Sequence, residues 1–233
     1  MITLALELSS RHGSLALLSA AEVVSERTWD ETSHQSSLFK ALPALFEQAG
    51  MTPEAVDLYA VGRGPGSYSG LRMAITTAQA MALPGKKPVV AVSSGEALAR
   101  AVFATAPANL VPQQVVVVGD ARRHSLWLGV FERRDGLLVR ARDWGIVGLD
   151  EAAEFIPEGA VVVSPDALRL APVLAGGKLG TRWPAEDAFP LAPQVAWLAL
   201  EKMRRGEPSE PLTPAYMHPP VFILPRYPDE AKA

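Results

Sequence analysis

Cysteine is absent from the 233 residues, which removes disulfides, thiolate metal ligands and a cysteine nucleophile together. Histidine is scarce. The four are His12, His34, His124 and His218, no two within one helical turn, so neither His-x-x-x-His nor His-Glu-x-x-His exists and no bound catalytic metal is expected. No Walker loop is present, because Lys86 falls well after the glycine-rich stretch, and no Gly-x-Ser-x-Gly elbow supplies a serine nucleophile. Neither sign of charge dominates: 22 basic against 25 acidic residues leave a net charge of −3, so no global footprint for nucleic acid is present. Long apolar runs are missing too, and the start at Met1 shows no basic n-region or cleavable apolar segment, so the expectation is a cytoplasmic protein with no membrane contact.

What is present is a soluble globular balance, 48% hydrophobic and 20% charged, long enough for one large domain or two of roughly 100 residues. The chain is organised around Gly62-Arg63-Gly64-Pro65-Gly66-Ser67-Tyr68-Ser69-Gly70-Leu71-Arg72. Glycine opens positive φ and proline removes a donor, so the apolar strand over Asp57 to Val61 must end in a turn there. From Gly70 to Leu83 helix formers follow, placing free N–H groups towards the loop. Such a loop is a plain turn and helix cap, or it seats a phosphate or carboxylate. Leu71, Ala74, Ile75, Ala78 and Ala82 form one apolar stripe at helical spacing while Met73, Ala80 and Leu83 lie opposite. A helix that is apolar on both sides asks for a sheet on one and a further partner on the other.

In order, Ile2 to Leu8, Gly13 to Leu18 and Glu22 to Trp29 read as an antiparallel meander. The first places Glu7 at the end of a buried strand, where it needs Arg11, a cation or a backbone donor. Thr32 or Ser33 caps a helix carrying Leu38, Leu42, Leu45, Phe46 and Ala49 on one face, bent or delayed by Pro43. Pro88 to Val92 is a strand, and Ser93 or Ser94 caps a helix to about Ala104. Pro107 to Pro112 is a hinge, after which three strands come again: Val115 to Asp120, ending in a second acid, then Ser125 to Arg133 and Gly136 to Trp144 as a hairpin. Leu149 to Phe155 is a short helix, Ala160 to Val163 a strand, and Pro193 to Arg205 a helix facing Val195, Leu198, Ala199 and Met203 inward. Seven prolines from Pro208 to Pro228 make the tail extended. The repeated element order predicts two lobes, residues 1–106 and a smaller 107–233, around a cleft with Glu7 and Asp120 on its two sides; two such acids would suit magnesium with a nucleotide. Arg122, Arg123, Arg133, Arg134, Arg140 and Arg142 are a candidate phosphate patch or a solvated hairpin, with Trp127 and Trp144 packing rather than stacking bases.

These residues carry a resemblance. Leu4 to Ser10, the block Gly62 to Arg72, Ala78 to Leu83, Val92-Ser93-Ser94, Asp120-Ala121-Arg122 and, near the end, Pro214-Ala215-Tyr216 resemble the TsaB family, also called YeaZ. The resemblance implies an α/β, two-lobed actin-like ATPase (ribonuclease H-like) fold, built from duplicated βββαβαβα-type lobes with the second reduced. It implies a non-catalytic scaffold without cofactor, pairing with a TsaD-like catalytic subunit and a TsaE-like ATPase for threonylcarbamoyl transfer to the adenosine beside the tRNA anticodon, with tRNA met only through the complex. Gly62, Gly64, Gly66, Ser67, Gly70 and Arg72 are then the family glycine loop, and Glu7 and Asp120 vestigial cleft acids. The partner surface, also used for a homodimer, falls on the two first-lobe helices, at Leu38, Leu42, Leu45, Leu71, Ala74, Ile75, Ala78 and Met81. The residues alone also allow a nucleotide- and magnesium-dependent transferase or hydrolase built on Glu7 and Asp120. Glu7 in place of the usual aspartate, Tyr68 and Ser69 in place of phenylalanine and threonine, and His218 in place of arginine depart from the family pattern.

Overall fold

The computed structural model describes residues 1–30, 34–174, 179 and 182–218, without the side chains of 34–36. The expected caps Thr32 and Ser33 and the prolines beyond residue 218 lie outside them, as does the His34 side chain.

Three leading strands, β1 (Ile2–Glu7), β2 (His12–Ser19) and β3 (Glu22–Asp30), form the meander that alternation predicts. Helices and strands then alternate: α1 (His34–Ala49), β4 (Leu58–Gly62), α2 (Tyr68–Ala82), β5 (Val89–Val92) and α3 (Ser94–Thr105). β4 pairs parallel to both β1 and β5, giving the order β3-β2-β1-β4-β5. The central strands are buried along their length, as parallel strands covered on both faces must be. Both faces are indeed covered: Leu4, Leu6, Leu15 and Leu17 meet α1 and α2 through Leu38, Leu45, Ala74 and Ala78. Ala5, Ala16, Leu58 and Ala60 meet the opposite layer.

The second lobe repeats the opening, with β6 (Gln114–Arg122), β7 (Ser125–Arg134) and β8 (Leu137–Gly148) antiparallel and β9 (Val161–Val163) parallel to β6. The expected helix near Leu149 is a single 3-10 turn, Ala152–Phe155. α4 (Ala167–Leu174) was hidden in the sequence by Pro172 in its interior, although Ala167, Leu170 and Leu174 sit at helical spacing and are buried. α5 (Ala192–Arg204) packs its Val195, Ala196 and Ala199 on the first sheet, so a helix from beyond residue 107 completes the core of the first lobe. Met203, expected to face inward, is 42% exposed; it lies in the last turn, past Leu200, the last buried residue of α5. The architecture is thus α/β and two-lobed, βββαβαβα followed by a reduced copy, the actin-like arrangement.

α3 is the layer between the sheets: Ala97 faces the first while Leu98, Ala99 and Phe103 face Val115, Val117 and Phe131 of the second. Gly95 at its start lets Trp144 come close; a Cβ there would stand 2.2 Å from the indole. Trp144 also meets Trp127 edge-on at 5.5 Å between ring centres, so both tryptophans pack within the protein.

Candidate functional site

The glycine loop is a knot in the fold. Ser67 caps α2 by accepting from Gly70 N–H, and Leu71 N–H is taken by the Ser67 carbonyl, so two of the amides that would greet an anion are already satisfied. Ser67 N–H donates to Ser9 O at 2.6 Å and Ser94 N–H to Gly64 O at 2.9 Å, while the Ser94 hydroxyl accepts from Gly64 N–H. The Gly64–Pro65 peptide is cis. Three glycines are needed for close approach: a Cβ at Gly62 would lie 1.8 Å from the Glu7 carboxyl, at Gly66 2.1 Å from Ser9 O, and at Gly70 1.9 Å from Leu8 O. The loop therefore clasps the end of β1 to the start of α3.

Glu7 is enclosed in this clasp with no exposed surface. Its Oε1 accepts from Ser9 N–H at 2.7 Å and its Oε2 has no partner. Burial pushes its carboxyl above the ordinary glutamate range, against the opposing pull of Ser9 and Ser94 beside it. Of the three partners open to it in the sequence, the backbone donor is the one found, at Ser9; Arg11 instead bonds Asp187 at 2.9 Å and faces Asp30. Asp120 has different company: Arg169, Arg122 and the Arg122 N–H engage its oxygens, and these contacts hold it below the usual aspartate range despite partial burial. The structure does not bring the two acids together as a pair of open ligands. Among the described residues no three histidine, aspartate or glutamate side chains are grouped to hold a metal. Magnesium with a nucleotide does not fit this donor set, since one carboxyl is sealed and the other is ion-paired.

A pH prediction follows from Glu7. From roughly pH 4.3 upward an unfolded glutamate releases its proton before the buried one, so the folded state loses stability with rising pH until Glu7 itself ionises. Urea unfolding from pH 4 to 8 is expected to show wild type falling relative to Glu7→Gln through that window, by up to about 1.4 kcal/mol per pH unit. Parallel curves would refute a neutral Glu7.

The six arginines are not one patch. Arg122 and Arg123 flank the β6–β7 turn and Arg133 and Arg134 the β7–β8 turn, at opposite ends of the ten residues of β7, about 30 Å apart at strand spacing. Arg140 is drawn inward to Glu96, Asp143 and Glu210, and Arg142 lies over Phe155.

The residues foreseen as a partner surface divide. Leu38, Leu45, Leu71, Ala74 and Ala78 have no exposure and Ile75 has 4%. They face the first sheet because the apolar stripe of each helix is the stripe that the sheet takes. Leu42 and Met81 are half-buried at its margin. The face that remains open on α2 runs through Tyr68, Arg72, Thr76, Ala80 and Leu83, beside the half-buried Met73. Tyr68 is 58% and Leu83 76% exposed, and Phe39 on α1 is 66% exposed. Sequence reasoning missed a half-buried charge cluster in which Arg63, Arg140 and Lys202 meet Glu96 and Glu210. Its members are scattered over the chain, and no spacing announces them.

Comparison with known proteins adds to this geometry. A family model described as TsaD, tRNA N6-adenosine threonylcarbamoyltransferase, matches residues 23–155. The Bacillus subtilis tRNA threonylcarbamoyladenosine biosynthesis protein TsaB is 31% identical over 139 residues, 59% of this chain and 58% of that protein. Its Haemophilus influenzae counterpart is 31% identical over 124 residues, 53% and 51%. The chain thus spans between half and three fifths of the length of these curated relatives. In three dimensions it is similar to YeaZ from Pseudomonas aeruginosa, TM-score 0.75 at 24% identity over 92% of this chain and 100% of the other.

Proposed function

Because this chain belongs to the TsaB (YeaZ) family, related to the TsaD-type threonylcarbamoyltransferases, we propose that it is a non-catalytic subunit for tRNA threonylcarbamoyladenosine formation. It docks on a TsaD-like catalytic subunit and, when alone, on a second copy of itself; a TsaE-like ATPase and tRNA join through the complex. The observation that supports this reading is the outer face of α2, which over four turns presents one charge, Arg72, among tyrosine, serine, threonine, glutamine, methionine and alanine, with Leu83 at its C-cap. Solvent-facing helices carry interspersed lysine and glutamate, whereas interface cores are depleted of both and enriched in tyrosine, methionine and arginine. α1 and α2 lie inside the stretch matched by the TsaD model, so a partner of that family offers equivalent helices, the self-complementary geometry of a two-fold contact.

The competing enzyme reading needs two open carboxylates, and the sealed Glu7 speaks against it. Phe39→Arg with Leu83→Arg, both exposed, is expected to weaken self-association and TsaD binding by about 30-fold or more with an unchanged melting temperature. Sedimentation and calorimetry read this out. Wild-type affinity in the double variant would sink the proposed face.

A further inference from the structure

Residues 207–218 form no helix or strand element, yet the segment is bound along its course across both lobes. Its first anchor is β5, the edge of the first sheet: Ala91 N–H donates to the Ser209 hydroxyl at 3.0 Å, and Glu210 N–H to Ala91 O in an antiparallel bridge. Glu210 then turns its carboxylate into three cations from separate elements, Arg63 at 2.9 Å, Arg140 at 3.4 Å and Lys202 at 3.7 Å. The other anions at these cations among the described residues are Glu96, 3.6 Å from Arg140 and 3.8 Å from Lys202, and the exposed Asp143, 2.8 Å from Arg140. Asp143 apart, the five side chains are between 12% and 26% exposed. Remove Glu210 and Arg63 loses its one ion-pair partner among the described residues, while Lys202 keeps Glu96 alone and Arg140 keeps Glu96 and Asp143; a half-buried cation left without a carboxylate is penalised by its lost hydration. Arg63 grips the segment further, donating from Nε to Thr213 O and accepting Ala215 N–H at its own carbonyl.

The far end reaches the open face of α2. The Tyr216 hydroxyl accepts from Arg72 Nε at 2.6 Å, its ring stacks on Tyr68 at 4.9 Å, and the Arg72 guanidinium lies 4.1 Å from the Tyr68 ring centre. Tyr216 remains 40% exposed and Tyr68 58%. Two tyrosines and an arginine, stacked and still open, are the residue types that anchor protein interfaces. They are also continuous with the stripe that ends at Leu83.

We propose that residues 209–217 are a strap latched by Glu210, and that Tyr216 at its end belongs to the docking face, where a second copy of this chain meets strap and helix together. This rests on the reading of α2 given above. Glu210 is a positioning residue; Tyr216 makes the contact.

Sedimentation and hydrogen exchange of the full chain test it. Tyr216→Ala is expected to weaken self-association about 30-fold at an unchanged melting temperature. Glu210→Gln is expected to raise exchange across 209–217 selectively and to weaken association in step, while Glu207→Gln does neither. Association within twofold of wild type in Tyr216→Ala overturns the proposal, and so does a freed strap in Glu210→Gln with undiminished association. If the Phe39 and Leu83 substitutions abolish association while Tyr216→Ala is silent, only the strap fails. If all are silent, the α2 face fails with it.

Discussion

Gly70→Ala is expected to destabilise the protein by about 3 kcal/mol or more, the largest effect of any single added methyl group in the glycine loop that leaves φ untouched. The new Cβ would stand 1.9 Å from the Leu8 carbonyl oxygen. That oxygen belongs to the backbone just past β1, whose Leu4, Leu6 and Glu7 are fully buried. Unlike a flexible side-chain tip, it cannot step aside. Either α2 lifts from the sheet, losing the packing of Leu71 and Ala74, or the clasp between Ser67 and Ser9 opens and strands two buried polar groups. Gly145→Ala is the control: nothing lies within 4 Å of its Cβ position, and its stability should stay within about 0.5 kcal/mol of wild type. Denaturant unfolding of both variants decides the matter; equal midpoints would mean that close approach at the loop is not what requires glycine.

Ala78→Arg should unfold the chain, costing more than about 4 kcal/mol, and not merely dissociate it. Ala78 has no exposure and belongs to one core cluster with Leu4, Leu6, Tyr59 and Val61 of the first sheet. An arginine there has no water, no carboxylate and no room. Loss of self-association in this variant would therefore report a lost fold, which circular dichroism separates from a lost interface. Leu83→Arg, five residues on and 76% exposed, changes the same helix without touching its core. A folded Ala78→Arg that has lost only association would return the interface to the buried stripe.

The two helices show why part of the sequence reading needed correction. Periodicity identifies which residues share a face, and it separated Leu71, Ala74, Ile75 and Ala78 from Met73, Ala80 and Leu83 without ambiguity. It cannot say which of two apolar faces the chain keeps for itself, because that is settled by the registry of the helix on a sheet formed by distant strands. The fuller stripe went to the sheet and the thinner one was left outside. The sequence reading passed over α4: with Pro172 inside it, a helix of only eight residues survives its lost hydrogen bond because Leu170 and Leu174 are buried against the second sheet.

Composition and pattern alone determined much of this protein. They excluded thiol, zinc, serine-nucleophile and P-loop chemistry, since each requires residue types or spacings that are simply missing. They also set the βββαβαβα order, the glycine turn, the strand-end position of Glu7 and, as far as residue 218, the lack of helix after Pro208, all properties of neighbours in the chain. Tertiary structure alone decided that Glu7 is sealed, that Arg11 turns away from it, that the arginines part to opposite ends of a sheet, and that Glu210 fastens the tail to Arg63, Arg140 and Lys202. Those outcomes depend on which distant groups the fold brings together and how far each is withdrawn from water, and the order of residues along a chain does not record that.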